Sequence, residues 1–125
     1  MTPVILDAGA LIALERGDKR MAALATVLAR DEIPAFVPAG VVAQVWRGSA
    51  RQHDLARLLA TDAVRVDPMD GTTARAIGVL LGTSGSSDVV DGHVALLGMR
   101  TRGKVFTSDE ADLRRIAPRL DIVSL

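Results

Sequence analysis

Four aspartates stand where a folded chain could use them together. Asp7 follows the apolar run Val4-Ile5-Leu6, and Asp109 follows Lys104-Val105-Phe106-Thr107 after a single serine. Asp88 and Asp91 are three residues apart, so on a helix they share a face at its first turn. Each has a plain alternative as a helix N-cap, a common task for an aspartate ahead of a helical stretch. As a set they point further. No basic residue is an immediate neighbour of any of them, and carboxylates gathered without one repel unless a cation sits between them. The chain has no cysteine. His93 lies about 200° round the helix from Asp91, at roughly 100° per residue, and His53 sits in a polar stretch. Oxygen ligands alone select a hard ion, Mg2+ or Mn2+. Such a cluster suits phosphodiester hydrolysis, in which a divalent ion activates water and offsets charge building on the phosphorus.

These acids converge only if the elements between them fold to bring them together. Val4-Ile5-Leu6, Ala35-Phe36-Val37, Ala63 to Val66, Lys104 to Thr107 and Ile122-Val123 are short apolar runs that read as strands. Helical stretches alternate with them: Ala10 to Glu15, a helix capped by Asp18 carrying Met21, Leu24, Ala25 and Leu28, Gly40 to Trp46, Asp54 to Ala60, Asp70 to Leu81, a helix from Ser87 or Asp88 carrying Val90, Val94, Leu97 and Met99, and Asp109 to Ile116. Gly82 to Ser87 reads as a flexible polar loop. Alternation of this kind predicts an α/β fold, a mostly parallel sheet of four or five strands with helices on both faces. Such sheets bind ligands beyond the carboxyl ends of their strands, where strand order reverses. If the first and fourth strands are neighbours, the four acids crowd one rim.

Composition sets the limits. The 125 residues suit one domain spanning 1–125, with 49% hydrophobic residues and only Phe36, Phe106 and Trp46 aromatic. Lys plus Arg and Asp plus Glu number 15 each, so any nucleic-acid site is a local patch rather than a globally basic surface. No apolar run approaches the roughly 20 residues that span a bilayer. The acid at position 7 and the lack of a basic start argue against a signal peptide. The expectation is a protein of the cytoplasm, without membrane attachment.

The motifs resemble a known family. Val4-Ile-Leu-Asp7-Ala-Gly-Ala-Leu-Ile is similar to the opening of PIN-domain ribonucleases of the VapC toxin type. Asp88-Val-Val-Asp91-Gly-His-Val-Ala-Leu and Val105-Phe-Thr-Ser-Asp109-Glu-Ala-Asp112-Leu resemble its later motifs, in the family's order and across essentially the whole chain. The resemblance implies a PIN-like three-layer α/β/α fold, one or two Mg2+ or Mn2+ ions, and endoribonuclease activity on RNA. It also implies a homodimer neutralised by a cognate VapB-like antitoxin whose tail fills the site. By motif match Asp7, Asp91 and Asp109 are the metal-site and catalytic acids, and Asp88 is an added candidate for both roles.

Two positions depart from the family pattern. Pro38-Ala-Gly-Val-Val-Ala-Gln44 places a neutral Gln44 where the family carries a glutamate. Asp88, a turn before Asp91, is expected to restore that charge, so Asp88→Asn is expected to abolish cleavage. Gly9 stands where many relatives have a serine or threonine, and Thr107 or Ser108 is expected to supply the hydroxyl. Gln44, Arg47, Thr107 and Ser108 are thus the expected substrate contacts, Arg47 through RNA phosphates. Trp46 is expected in the core or at a dimer contact. Arg51, Arg114, Arg115 and Arg119 read as solvated faces, and Arg100, Arg102 and Lys104 as cations at a helix C-terminus. A haloacid-dehalogenase-like phosphatase would need an acid at Gly9, and a receiver domain a lysine at a strand's end, whereas Lys104 begins its strand. The remaining alternative is a PIN domain that has lost catalysis and binds RNA or a partner without cutting.

Overall fold

The computed structural model describes residues 2–125. The chain begins with β1 (Val4–Leu6), α1 (Ala8–Glu15), α2 (Lys19–Arg30), β2 (Ala35–Pro38) and α3 (Ala39–Val45). A short 3-10 turn (Ala50–Gln52), α4 (His53–Leu59), β3 (Val64–Asp67), α5 (Gly71–Ser84) and α6 (Val89–Thr101) follow, then β4 (Lys104–Thr107), α7 (Glu110–Ile116) and β5 (Asp121–Ser124). The five strands form one all-parallel sheet in the order β3-β2-β1-β4-β5. The chain walks outward from β1 through β2 to β3, then returns across the sheet to lay β4 on the other side of β1. Strand order therefore reverses between β1 and β4. Helices α1 to α4 pack among themselves and α5 to α7 do likewise, as right-handed crossovers in opposite directions require. The three-layer α/β/α expectation holds, with five strands, every one parallel.

Local sequence explains each element. Val4, Ile5 and Leu6 are all buried, because a parallel strand covered on both faces has no side to give to water. In α2, Met21 and Leu28 are buried, with Leu24 and Ala25 packed behind them. Helix α6 buries an unbroken run from Asp91 to Gly98, so it lies inside the protein and shows no polar face there. Its glycines make room for neighbours: a Cβ on Gly92 would lie 2.9 Å from Ile77 Cγ2, and one on Gly98 would lie 2.7 Å from Leu120 Cδ2.

Several boundaries differ from expectation. Helix α5 continues through Gly82, Thr83 and Ser84, which sequence reading assigns to a loop. The Thr83 and Ser84 hydroxyls donate to the carbonyls of Leu80 and Leu81, and Gly85, at φ 73°, closes the helix with its N–H on Leu81. The 3-10 turn before α4 had no sequence signal. Trp46 is 40% exposed, which removes it from the core. Among the described residues, no helix is long and apolar enough to cross a membrane.

Candidate metal centre

Asp7 and Asp109 reach the same place because β1 and β4 pair in register, Val4 with Lys104, Ile5 with Val105 and Leu6 with Phe106. The ladder continues one step further: the Asp7 N–H donates to the Phe106 carbonyl at 3.1 Å. That bond carries Asp7 to the rim beside Thr107. Asp91 comes from the first turn of α6, the helix that crosses under β2, β1 and β4. Oxygens of Asp7, Asp91 and Asp109 lie within 4.8 Å of one another, at the carboxyl ends of the strands where strand order reverses, the place this architecture offers to ligands.

The capping alternative separates the four acids. Asp18, Asp70 and Asp88 each accept from the backbone N–H three residues on, at 2.9, 2.8 and 3.0 Å, and are ordinary N-caps. Asp109 holds the same position ahead of α7 but makes no side-chain capping bond. Asp7 accepts only from the adjacent Ala8 N–H, at 2.7 Å, and from Thr107 Oγ1, at 2.6 Å. Asp88 is thus the one of the four candidate acids whose side chain caps a helix through the N–H three residues on. Its Oδ1 is committed to the Asp91 N–H, and its carboxylate is outside the converging set. It contributes charge at one remove.

Electrostatics show how poorly neutralised the cluster is. Asp7 is 2% and Asp91 9% exposed, and among the described residues no salt bridge reaches Asp7, Asp88, Asp91 or Asp109. Burial, then Asp88, Asp7, Asp109 and Asp112, push the Asp91 carboxyl up to about 7. Burial also raises Asp7, against the lowering pull of its bonds from Thr107 and Ala8. The donor set fits a hard divalent ion: three carboxylates, no nitrogen or sulfur, and a span near the roughly 4.2 Å across a Mg2+ shell with bonds of about 2.1 Å.

The expected substrate contacts divide. Thr107 is fully buried, so the expectation that it touches substrate is corrected. Its hydroxyl donates to Asp7 and accepts from the Asp109 N–H at 2.9 Å, tying the two acid-bearing turns together. Ser108 is exposed at the rim, against Gly9. Gln44 is exposed on α3, four residues after Gly40, whose Cβ would lie 3.1 Å from Val90 at the start of α6. The Arg47 guanidinium folds back on the carbonyls of Ala43 and Trp46.

Sequence reading missed two features. Asp112, three residues after Asp109 and so on a shared face, raises Asp91 and lines a cleft of about 200 Å3 with Asp88, Asp91, Arg115 and the serines of 84–87. Arg115, solvated as expected, pairs with Asp112 and lines the same cleft as Asp91. His93, fully buried, bonds through Nε2 to Asp67 at the end of β3, 2.8 Å away. That contact is nonlocal and leaves no trace in spacing.

The PIN domain family model matches residues 4–118. No curated protein matches the chain by sequence. Among solved structures, a chain of VapBC2 from Rickettsia felis, crystallised bound to a DNA fragment from its promoter, superposes with a TM-score of 0.67 at 13% identity, covering 98% of each chain. A chain of FitAB bound to the IR36 DNA fragment gives 0.65 at 15% identity, covering 97% of this chain and 94% of that one. FitAcB from Neisseria gonorrhoeae gives 0.62 at 16%, covering 97% and 96%.

Proposed function

The chain belongs to the PIN-domain family, and from that premise we propose that it is an Mg2+- or Mn2+-dependent endoribonuclease, the toxin of a toxin–antitoxin pair. PIN domains are generally metal-dependent nucleases, and this chain carries the acid cluster such chemistry needs. The observation that carries the reading is the convergence of Asp7, Asp91 and Asp109 within 4.8 Å with no cationic side chain paired to them. In this reading the three carboxylates hold the ion and are the catalytic acids. Thr107 fixes the Asp7 carboxylate, and Asp88 organises the turn that presents Asp91. A bound divalent ion supplies an activated water and neutralises charge on the phosphate under attack. Ser108, Gln44 and Arg115 are the exposed polar groups on the chain's side of that exchange.

The protein works as one domain spanning 1–125, in the cytoplasm. The two assemblies it resembles in fold, VapBC2 and FitAB, support a VapB-like antitoxin as partner. A homodimer is part of the same reading, with exposed Trp46 as its contact. The alternative of RNA or partner binding without cutting rests on Gln44. Against it, the three acids converge without that position.

Incubation of the purified protein with structured RNA and Mn2+ tests the proposal. Cleavage that disappears with EDTA and in Asp7→Ala is the expected outcome. Intact RNA under all conditions, with no Mn2+-induced rise in melting temperature, defeats it and leaves the non-cutting alternative.

A further inference from the structure

We propose that Gly9 is a positioning residue of the acid cluster: its missing side chain lets Ser108 seat against the first turn of α1, and that seat holds Asp7 and Asp109 within reach of one cation. This rests on the metal-dependent reading above. Gly9 is two residues past Asp7, and Ser108 immediately precedes Asp109. A Cβ on residue 9 would lie 2.3 Å from Ser108 Oγ, 2.9 Å from Ser108 Cβ and 3.0 Å from the Ser108 backbone nitrogen. Rotating the serine hydroxyl relieves only the first of these. The other two atoms belong to the turn itself, so a side chain at 9 moves the turn.

That turn is wired to the acids. Thr107 Oγ1 donates to Asp7 Oδ2 at 2.6 Å and accepts from the Asp109 N–H at 2.9 Å, and the Asp7 N–H reaches Phe106 at 3.1 Å. Displacing Ser108 therefore displaces its neighbour Asp109 relative to Asp7, or breaks the Thr107 bridge. The turn must give by some tenths of an ångström, and a preorganised constellation tolerates only about 0.5 Å. The other close-packed glycines serve different contacts, with Gly92 and Gly98 meeting core side chains. At Gly78, in the exposed middle of α5, a Cβ meets nothing within 4 Å, which makes it the matched control.

Calorimetric titration with Mn2+ gives a binding midpoint, and the metal-free melting temperature reads stability separately. Gly9→Ala is expected to move the Mn2+ midpoint up by about 10-fold or more. Gly9→Ala combined with Ser108→Gly removes the two nearest atoms, Oγ and Cβ, leaves only the nitrogen contact at 3.0 Å, and is expected to return the midpoint to within about threefold of wild type. Gly78→Ala leaves it unchanged. A Gly9→Ala protein with the wild-type midpoint overturns the inference, even if its metal-free melting temperature falls, since that is a purely structural effect. So does a double variant that folds without regaining Mn2+ affinity, or one that does not fold. If Gly9→Ala alone fails to fold, the double variant decides, and recovery of binding supports the inference. A wild-type protein without any Mn2+ response sinks the nuclease reading together with this one, whereas a responsive wild type beside an unaltered Gly9→Ala sinks this one alone.

Discussion

Two buried polar constellations in this protein are built on opposite terms. Gln52, 2% exposed, uses the whole capacity of its amide. Its Oε1 accepts from the N–H groups of Arg47 and Gly48, at 2.8 and 3.2 Å, and its Nε2 donates to the Val45 carbonyl and Glu15 Oε2, at 2.8 and 3.3 Å. It closes the end of α3 onto α1 and leaves nothing to bind. Asp7 is as thoroughly buried and Asp91 nearly so, yet they carry like charge, converge with Asp109, and among the described residues have no salt-bridge partner. Burying a charge without a partner costs far more than burying a satisfied amide. The amide is saturated from within, whereas the acids are left without a partner for their charge.

Substitutions can break this contrast from either end. Asp91→Asn is expected to lower RNA cleavage by on the order of 100-fold or more, since a ligand to the ion is lost, while the metal-free protein melts higher. A variant that cleaves normally would remove Asp91 from the chemistry. Gln52→Ala is expected to cost about 2–4 kcal/mol, because several buried backbone groups lose their partner at once. Denaturant unfolding measures that loss, and an Mn2+ midpoint close to wild type confirms that the two constellations are separable.

The pH response sharpens the comparison. With a folded-state pKa of about 7 against 3.8, the folded protein holds the Asp91 proton after the unfolded chain has released it. The stability from this group is complete below about pH 4 and is lost as pH rises through about 7. Metal-free melting temperature should therefore fall between pH 5 and 8, and the slope should shrink in Asp91→Asn. Mn2+ affinity should move the other way, rising with pH as the carboxylate ionises. Equal slopes in the two proteins would locate the titration elsewhere. The smallest effect belongs to Asp88→Asn. Asparagine caps as well as aspartate, so the turn survives and only a neighbouring charge is lost. Mn2+ affinity should change by about threefold or less. Complete loss of binding would restore Asp88 to the ligand set.

Much of the fold was legible because its signals are local. Val4-Ile5-Leu6 and Lys104 to Thr107 are apolar runs of strand length, and Asp7 and Asp109 stand out by following them directly. Their convergence needed only the guess that β1 and β4 are neighbours. What escaped depends on geometry that spacing does not encode. Asp88 and Asp91 do share a helix face, but the capping bond turns the Asp88 carboxylate back on the Asp91 N–H. Thr107 reads as an available hydroxyl until the strand register buries it against Asp7. Gln52 gives no sign of its role, since one of its partners, Glu15, is on α1. The space at Gly9 is filled from a residue 99 positions away.

That last separation bears on biosynthesis. β4 pairs with β1 across nearly the whole chain, and the acids come from positions 7, 91 and 109. A ribosome-bound fragment ending before Asp109 holds the first acid and the scaffold around it but no complete centre. Because contacts so distant in sequence close late, the three acids come together only once β4 and the turn after it have been made.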